Sequence, residues 1–206
     1  MVDDDLRFYP YSSSELSDDC KENHYLPYGC TFLGCYIYGQ YGIFVQCGDG
    51  DIFALFKDGK TKSLVADDDR CIGSITTSLC LSGAENDFRI SVIDLDDLNV
   101  ILLATDGLSN SYSTDNDLHQ WAVDIADYLK QEKGRQIIDE NLGTWLDGVS
   151  REGSADDISM AVIVIGKETI LEPVKSTESE KEIQAEVTKN FIEKMVSVFK
   201  KISKSI

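Results

Sequence analysis

The sequence is poor in basic residues, histidine and proline. Lys and Arg number 19 against 37 Asp and Glu, which leaves a formal net charge of −18. Such a surface repels the phosphate backbone of nucleic acid and anionic lipid alike, so no nucleic-acid partner is expected and membrane association is disfavoured. No CxxC pair occurs among the six cysteines, and neither His24 nor His119 completes a zinc-finger spacing. Several cysteines lie inside apolar runs, where a free thiol behaves as a small hydrophobe. No apolar run reaches transmembrane length. The first residues, MVDDDLRFYPY, put acid where a secretory leader carries basic residues. A reducing cytoplasm is the expected compartment. The three prolines, Pro10, Pro27 and Pro173, fall in polar stretches that read as loop or linker.

Hydrophobic residues make up 42% and charged residues 27% of the 206, a globular composition with enough chain for a real core. Residues 1–27 form an acidic N-terminal segment that reads as loop or a short helix within one. From residue 28 the character changes. Thr31–Tyr38, Ile43–Cys47 and Ile52–Lys57 are rich in β-branched and aromatic residues and are separated by Gly-containing turns, which predicts consecutive antiparallel strands. Phe88–Ile93 and Val100–Thr105 predict two more strands. The second, VILLAT, is almost wholly apolar and is expected to be central and buried.

Helical periodicity follows. Thr114 and Asp117 make a capping-box-like start, after which Leu118, Trp121, Ile125, Tyr128 and Leu129 recur on one face. A second helix is predicted over Arg135–Val149 and a last strand over Ile158–Ile165. Residues 167–206 read as a polar linker and an amphipathic C-terminal helix, with Ile183, Val187, Phe191, Met195 and Ile202 in its stripe and Lys-rich last turns. That stripe is suited to docking on the domain or on a protein partner, with a membrane surface the less favoured alternative because the first half of the helix is rich in Glu. Strands, two helices and a strand in this order predict an α+β fold.

Three aspartates stand out by context. Asp106 follows the apolar strand and precedes Gly107. Asp156 lies in GSADD just before the final strand. Asp49 lies in the turn Gly48-Asp49-Gly50-Asp51. Carboxylates converging at strand ends raise each other's pKa, and a hard divalent cation, Mg²⁺ or Mn²⁺, is the simplest neutraliser. Asp-Gly and Gly-Asp-Gly are equally ordinary β-turn sequences, so the two readings stand side by side. An EF-hand starting at Asp49 fails, because Ala54 falls where Gly is required and Lys60 where the bidentate Glu is required.

ILLATDGLSN (Ile101–Asn110) resembles the strand-Asp-Gly motif of PPM-type (protein phosphatase 2C) phosphatases. EGSADDISMAVIVI (Glu152–Ile165) resembles their last metal motif. The run from Tyr28 to Lys60 resembles their Gly-[Ser/Thr/Cys]-Thr strand and the Gly-Asp hairpin after it. The three motifs stand in the family's order and span residues 28–166.

The resemblance implies a partial four-layer α-β-β-α sandwich, with two antiparallel sheets flanked by helices and a two-metal site between the sheets. Asp106 and Asp156 would then be core ligands of Mn²⁺ or Mg²⁺, and Asp49 would help hold a third, weaker metal. Asn110 stands where the family often has a further acidic residue. The family's phosphate-binding Arg and its metal-bridging Asp-Gly-His-Gly-like motif are not visible in residues 1–28. His119, beside Trp121, reads as a packing or surface residue. The implied activity is hydrolysis of phosphoserine or phosphothreonine in a phosphoprotein by a metal-activated water. With the upstream motif missing, the isolated chain is expected to be weak or inactive, as a truncated phosphatase. The alternative is a catalytically inactive pseudophosphatase or interaction module.

Overall fold

The computed structural model describes residues 25–71 and 76–166, together with Cys20 and Asn23. The amphipathic segment expected near the C-terminus lies outside the described residues, as does most of the acidic N-terminal segment. The chain divides into two compact units. In the smaller, a 3₁₀ turn at Leu26–Tyr28 and another at Ala84–Asn86 are accompanied by backbone and side-chain ties. Leu79 N–H and Ser78 Oγ both donate to Cys30 O, at 3.0 and 3.1 Å.

Among the described residues, the larger unit carries seven strands and two α-helices. They are β1 (Phe32–Tyr38), β2 (Tyr41–Cys47), β3 (Asp51–Phe56), β4 (Thr61–Ser63), β5 (Arg89–Asp94), β6 (Leu98–Ala104) and β7 (Met160–Val164), with α1 (Asp115–Leu129) and α2 (Gly134–Glu152) between β6 and β7. Two antiparallel sheets result, one ordered β1-β2-β5 and the other β4-β3-β6-β7. This is an α+β arrangement.

The period-2 alternation of strands decides what each face buries. In β6, Val100, Leu102 and Ala104 join a core with Phe53, Leu55 and the helix residues Leu118, Ala122, Ile125, Ile138 and Leu146. Ile101 and Leu103 face the other way and join Ile52, Ala54 and Phe44, the last from the three-stranded sheet. The four-stranded sheet is therefore covered by helices on one face and by the second sheet on the other. That double cover requires a strand apolar at every position, and VILLA meets the requirement. It pairs with β3 on one side and β7 on the other, as expected of a central strand.

The helices form where local chemistry starts them. Thr114 Oγ1 accepts from Asp117 N–H at 3.2 Å and donates to Asp117 Oδ2 at 2.7 Å, capping α1. Asp115 and Asp117 in the first turn complement the helix dipole. His119 is half-buried with its ring 5.2 Å from that of Phe53, so it packs, as the sequence suggested.

One expectation is corrected. β2 and β3 do not form a hairpin across Gly48-Asp49-Gly50, because they belong to different sheets. The turn carries the chain from one layer of the sandwich to the other. Phe44 and Ile52 bury into the same intersheet core from opposite sides, and that burial fixes the crossing.

Candidate functional site

Three strand ends meet near Asp106. β6 ends at Ala104, and Asp106 follows two residues later. Ala104 pairs with Asp51 at the start of β3 and with Met160 at the start of β7, so the loops carrying Asp49, Asp106 and Asp156 emerge at the same sheet end.

Hydroxyl groups hold the Asp106 and Asp156 loops together. Ser111 Oγ and Ser154 Oγ both donate to Gly107 O, at 2.7 and 2.8 Å, and lie 3.0 Å apart. Thr105 N–H donates to Ser159 O at 3.0 Å, and Thr105 Oγ1 accepts from Ser159 N–H at 2.9 Å. Ser150 Oγ donates to Asp156 O at 2.6 Å. Ala155 sits at φ 58°, a left-handed conformation that side chains disfavour and that the surrounding bonds must hold.

The close approach explains Gly107. A Cβ there would lie 2.9 Å from Asp157 O and 3.2 Å from Ile158 Cγ1. Gly107→Ala is therefore expected to push the two loops apart and lower stability by about 1–3 kcal/mol. Thermal melts would show this, and an unchanged melting temperature would mean that the loops are not clamped as described.

The Asp49 turn is held by a second device. Gln46 and Arg89 are cross-strand partners on the face of the three-stranded sheet that Phe44 also uses. Gln46 Nε2 donates to Gly48 O at 3.2 Å and also to Gly50 O. Arg89 Nη2 donates to Gly48 O, and its Nη1 donates to Ala66 O at 2.6 Å. Gln46 is only 5% exposed, so its amide is dedicated to this turn. Sequence reasoning missed this pair. The one available signal was a glutamine interrupting the apolar run IFVQC.

The charges of Asp49 and Asp156 both reach Asp106. The Asp106 carboxyl is pushed above the usual carboxylate range, first by burial and then by the charges of Asp49 and Asp156. Asn110 Nδ2 donates to Asp106 Oδ2 at 3.1 Å. The three sequence-derived candidates thus share one electrostatic neighbourhood. They do not close into a cage: among the described residues, no group of three or more His, Cys, Asp or Glu side chains converges tightly enough to hold a metal ion.

Asp51, not singled out from the sequence, is a strongly perturbed carboxyl. It shares the helix-side face of β3 with Phe53, and burial pushes its pKa up to about 6, with the charges of Asp106, Asp67 and Asp115 adding to the rise and the Ser109 hydroxyl opposing it. Its Oδ2 is buried without a hydrogen-bond partner.

The sequence profile of the family described as protein phosphatase 2C matches residues 10–147, more than half of the chain. No curated protein matches. Among solved structures, a bacterial serine phosphatase is similar at 13% identity and TM-score 0.48, covering 80% of this chain and 78% of that one. Serine/threonine phosphatase Stp1 from Staphylococcus aureus is similar at 14% identity and TM-score 0.44, covering 80% and 76%. The catalytic domain of serine threonine protein phosphatase PstP, in complex with two manganese ions, is similar at 19% identity and TM-score 0.46, covering 67% and 60%. No helix among the described residues is long and apolar enough to cross a membrane.

Proposed function

Because this chain belongs to the protein phosphatase 2C family, we propose that it contributes one side of a Mn²⁺- or Mg²⁺-dependent site that hydrolyses phosphoserine or phosphothreonine in a phosphoprotein. The observation that carries this reading is the convergence of the Asp49 and Asp156 charges on a partly buried Asp106 at the end of β6. Like charges held together in a folded protein favour a cation between them.

The donor set suits a hard, oxygen-preferring ion in kind, and Asp106, Asp156 and Asp49 are the residues that would hold it. With no closed cage among the described residues, water would supply most of the remaining oxygen ligands. A bound metal supplies a deprotonated water nucleophile and neutralises phosphoryl oxygens. The chain's own part is positional. The Ser111, Ser154 and Gly107 contacts fix the distance between the Asp106 and Asp156 loops, and Asn110 orients the Asp106 carboxylate.

The sequence holds no Asp-Gly-His-Gly motif ahead of β1, so the residues present supply only part of a two-metal centre. The isolated chain is accordingly expected to bind Mn²⁺ weakly and to turn over para-nitrophenyl phosphate slowly or not at all at millimolar Mn²⁺. Mn²⁺ binding, followed by electron paramagnetic resonance of the free ion, should be lost in Asp106→Ala. Robust turnover abolished by Asp106→Ala and Asp156→Ala would show a complete site and overturn the partial reading. The open arrangement of the carboxylates among the described residues favours a second reading, a non-catalytic relative that acts through protein contacts. Absence of both Mn²⁺ binding and turnover would select it.

A further inference from the structure

The helices α1 and α2 border an open cavity of about 250 Å³ lined by Trp121, Asp124, Ile125, Tyr128 and Trp145. Four of these five come from α1 at the spacing of a single helical face, and Trp145 faces them from α2. A stripe of this kind ordinarily disappears into a core. Here only Ile125 is fully buried, at 1% exposed, while Trp121, Tyr128 and Trp145 pack one side against that core and stay half-buried where they line the cavity.

The walls are held in place before any ligand arrives. The Tyr128 and Trp145 rings stack with centroids 5.0 Å apart at 27°. Trp121 Nε1 donates to Tyr112 OH at 2.8 Å, which fixes the indole. Asp124 stands exposed at the rim, and Gln120 Nε2 donates to its Oδ1 at 2.9 Å. Three electron-rich rings and a carboxylate, with no basic side chain in the lining, form a surface complementary to an organic cation. A neutral apolar guest would gain the ring contacts but nothing from Asp124.

We propose that this cavity receives the ammonium end of a lysine side chain, free or methylated, from a partner polypeptide. The rings supply cation–π attraction and cover the methylene stem, and Asp124 neutralises the charge at the mouth. A polypeptide is favoured over a membrane because the chain's net charge of −18 attracts basic proteins and repels anionic lipid surfaces. The site does not depend on the aspartate centre and stands whether or not that centre is catalytic.

Trp121 and Trp145 are the only two tryptophans in the sequence, and both line the cavity, so intrinsic tryptophan fluorescence reads this site directly. The full-length chain is titrated with the acetylated, amidated derivative of trimethyllysine, with its neutral analogue carrying a tert-butyl group in place of the trimethylammonium, and with choline. Expected is a saturable fluorescence change with the trimethyllysine derivative, with affinity at least about fivefold lower for the neutral analogue and in Asp124→Asn. Asp124 is exposed, so the variant should keep the wild-type circular dichroism spectrum, and the neutral-analogue comparison needs no variant. Three results would overturn the proposal: no saturable change, equal affinity for the charged and neutral probes, or tighter binding of choline than of the lysine derivative. The last would assign a lipid headgroup instead.

Discussion

Truncating Phe53 to alanine is expected to destabilise the protein by about 3–5 kcal/mol. Phe53 is 1% exposed and sits in β3 with Leu102 opposite it on β6 and Ser63 on β4. Its ring fills the space between the sheet and α1, close to His119. Strands on both sides hold β3 in register, so the backbone cannot move in to fill the void, and the cavity penalty adds to the lost transfer energy. Urea unfolding should show a lower midpoint with an unchanged slope. Because β3 begins at Asp51 and follows the Asp49 turn, Mn²⁺ affinity should fall with it. A loss below about 1.5 kcal/mol would mean that the helix layer is not packed on this sheet as described.

Replacing Asp51 with asparagine is expected to stabilise the metal-free protein at neutral pH. Burial holds the Asp51 pKa at about 6 in the folded chain, against 3.8 for the ordinary carboxyl. The folded value is raised, so the contribution of this group is fully present below pH 3.8 and is lost as pH rises through about 6. Over that window the wild type should give up about 3 kcal/mol that the variant keeps. At pH 7.5 in the presence of a chelator, Asp51→Asn should melt about 6–12 °C higher than wild type, and the difference should vanish near pH 4. Equal melting temperatures at both pH values would show that Asp51 is well solvated or paired when ionised. The sign also argues that this carboxylate was not placed for stability, since ionised at neutral pH it costs the fold energy.

Much of the fold was legible because its signals are local. The apolar run VILLA needs cover on both faces wherever it lies, so its central place follows from composition. The Thr114–Asp117 cap uses contacts three residues apart and was readable for the same reason. β4, with only Thr61-Lys62-Ser63, is an edge strand too short and too polar to show any alternation, and it was missed. Gly48-Asp49-Gly50 was misread as a hairpin, since the same turn residues serve a hairpin and a crossing between sheets. The difference rests on Phe44 and Ile52 meeting across the sandwich.

The candidate site divides in the same way. Asp49, Asp106 and Asp156 could be picked out because each sits beside an apolar strand with small residues around it. Asp51 looked like one more turn residue, because its burial depends on the helix layer above it. The Gln46–Arg89 clamp joins residues 43 positions apart, and the Ser111–Ser154 pair joins residues the same distance apart. Neither leaves a trace in local sequence pattern.

By itself the sequence determined the acidic character of the surface, the order and type of the main elements, and which aspartates stand at strand ends, since charge, hydrophobic period and capping act between neighbours in the chain. Only the tertiary structure decided that β2 and β3 part into different sheets, that Asp49 and Asp156 act on Asp106, and that two tryptophans and a tyrosine frame a cavity beside Asp124. Those facts rest on burial and Coulomb interaction, which depend on distance through space and not on separation along the chain.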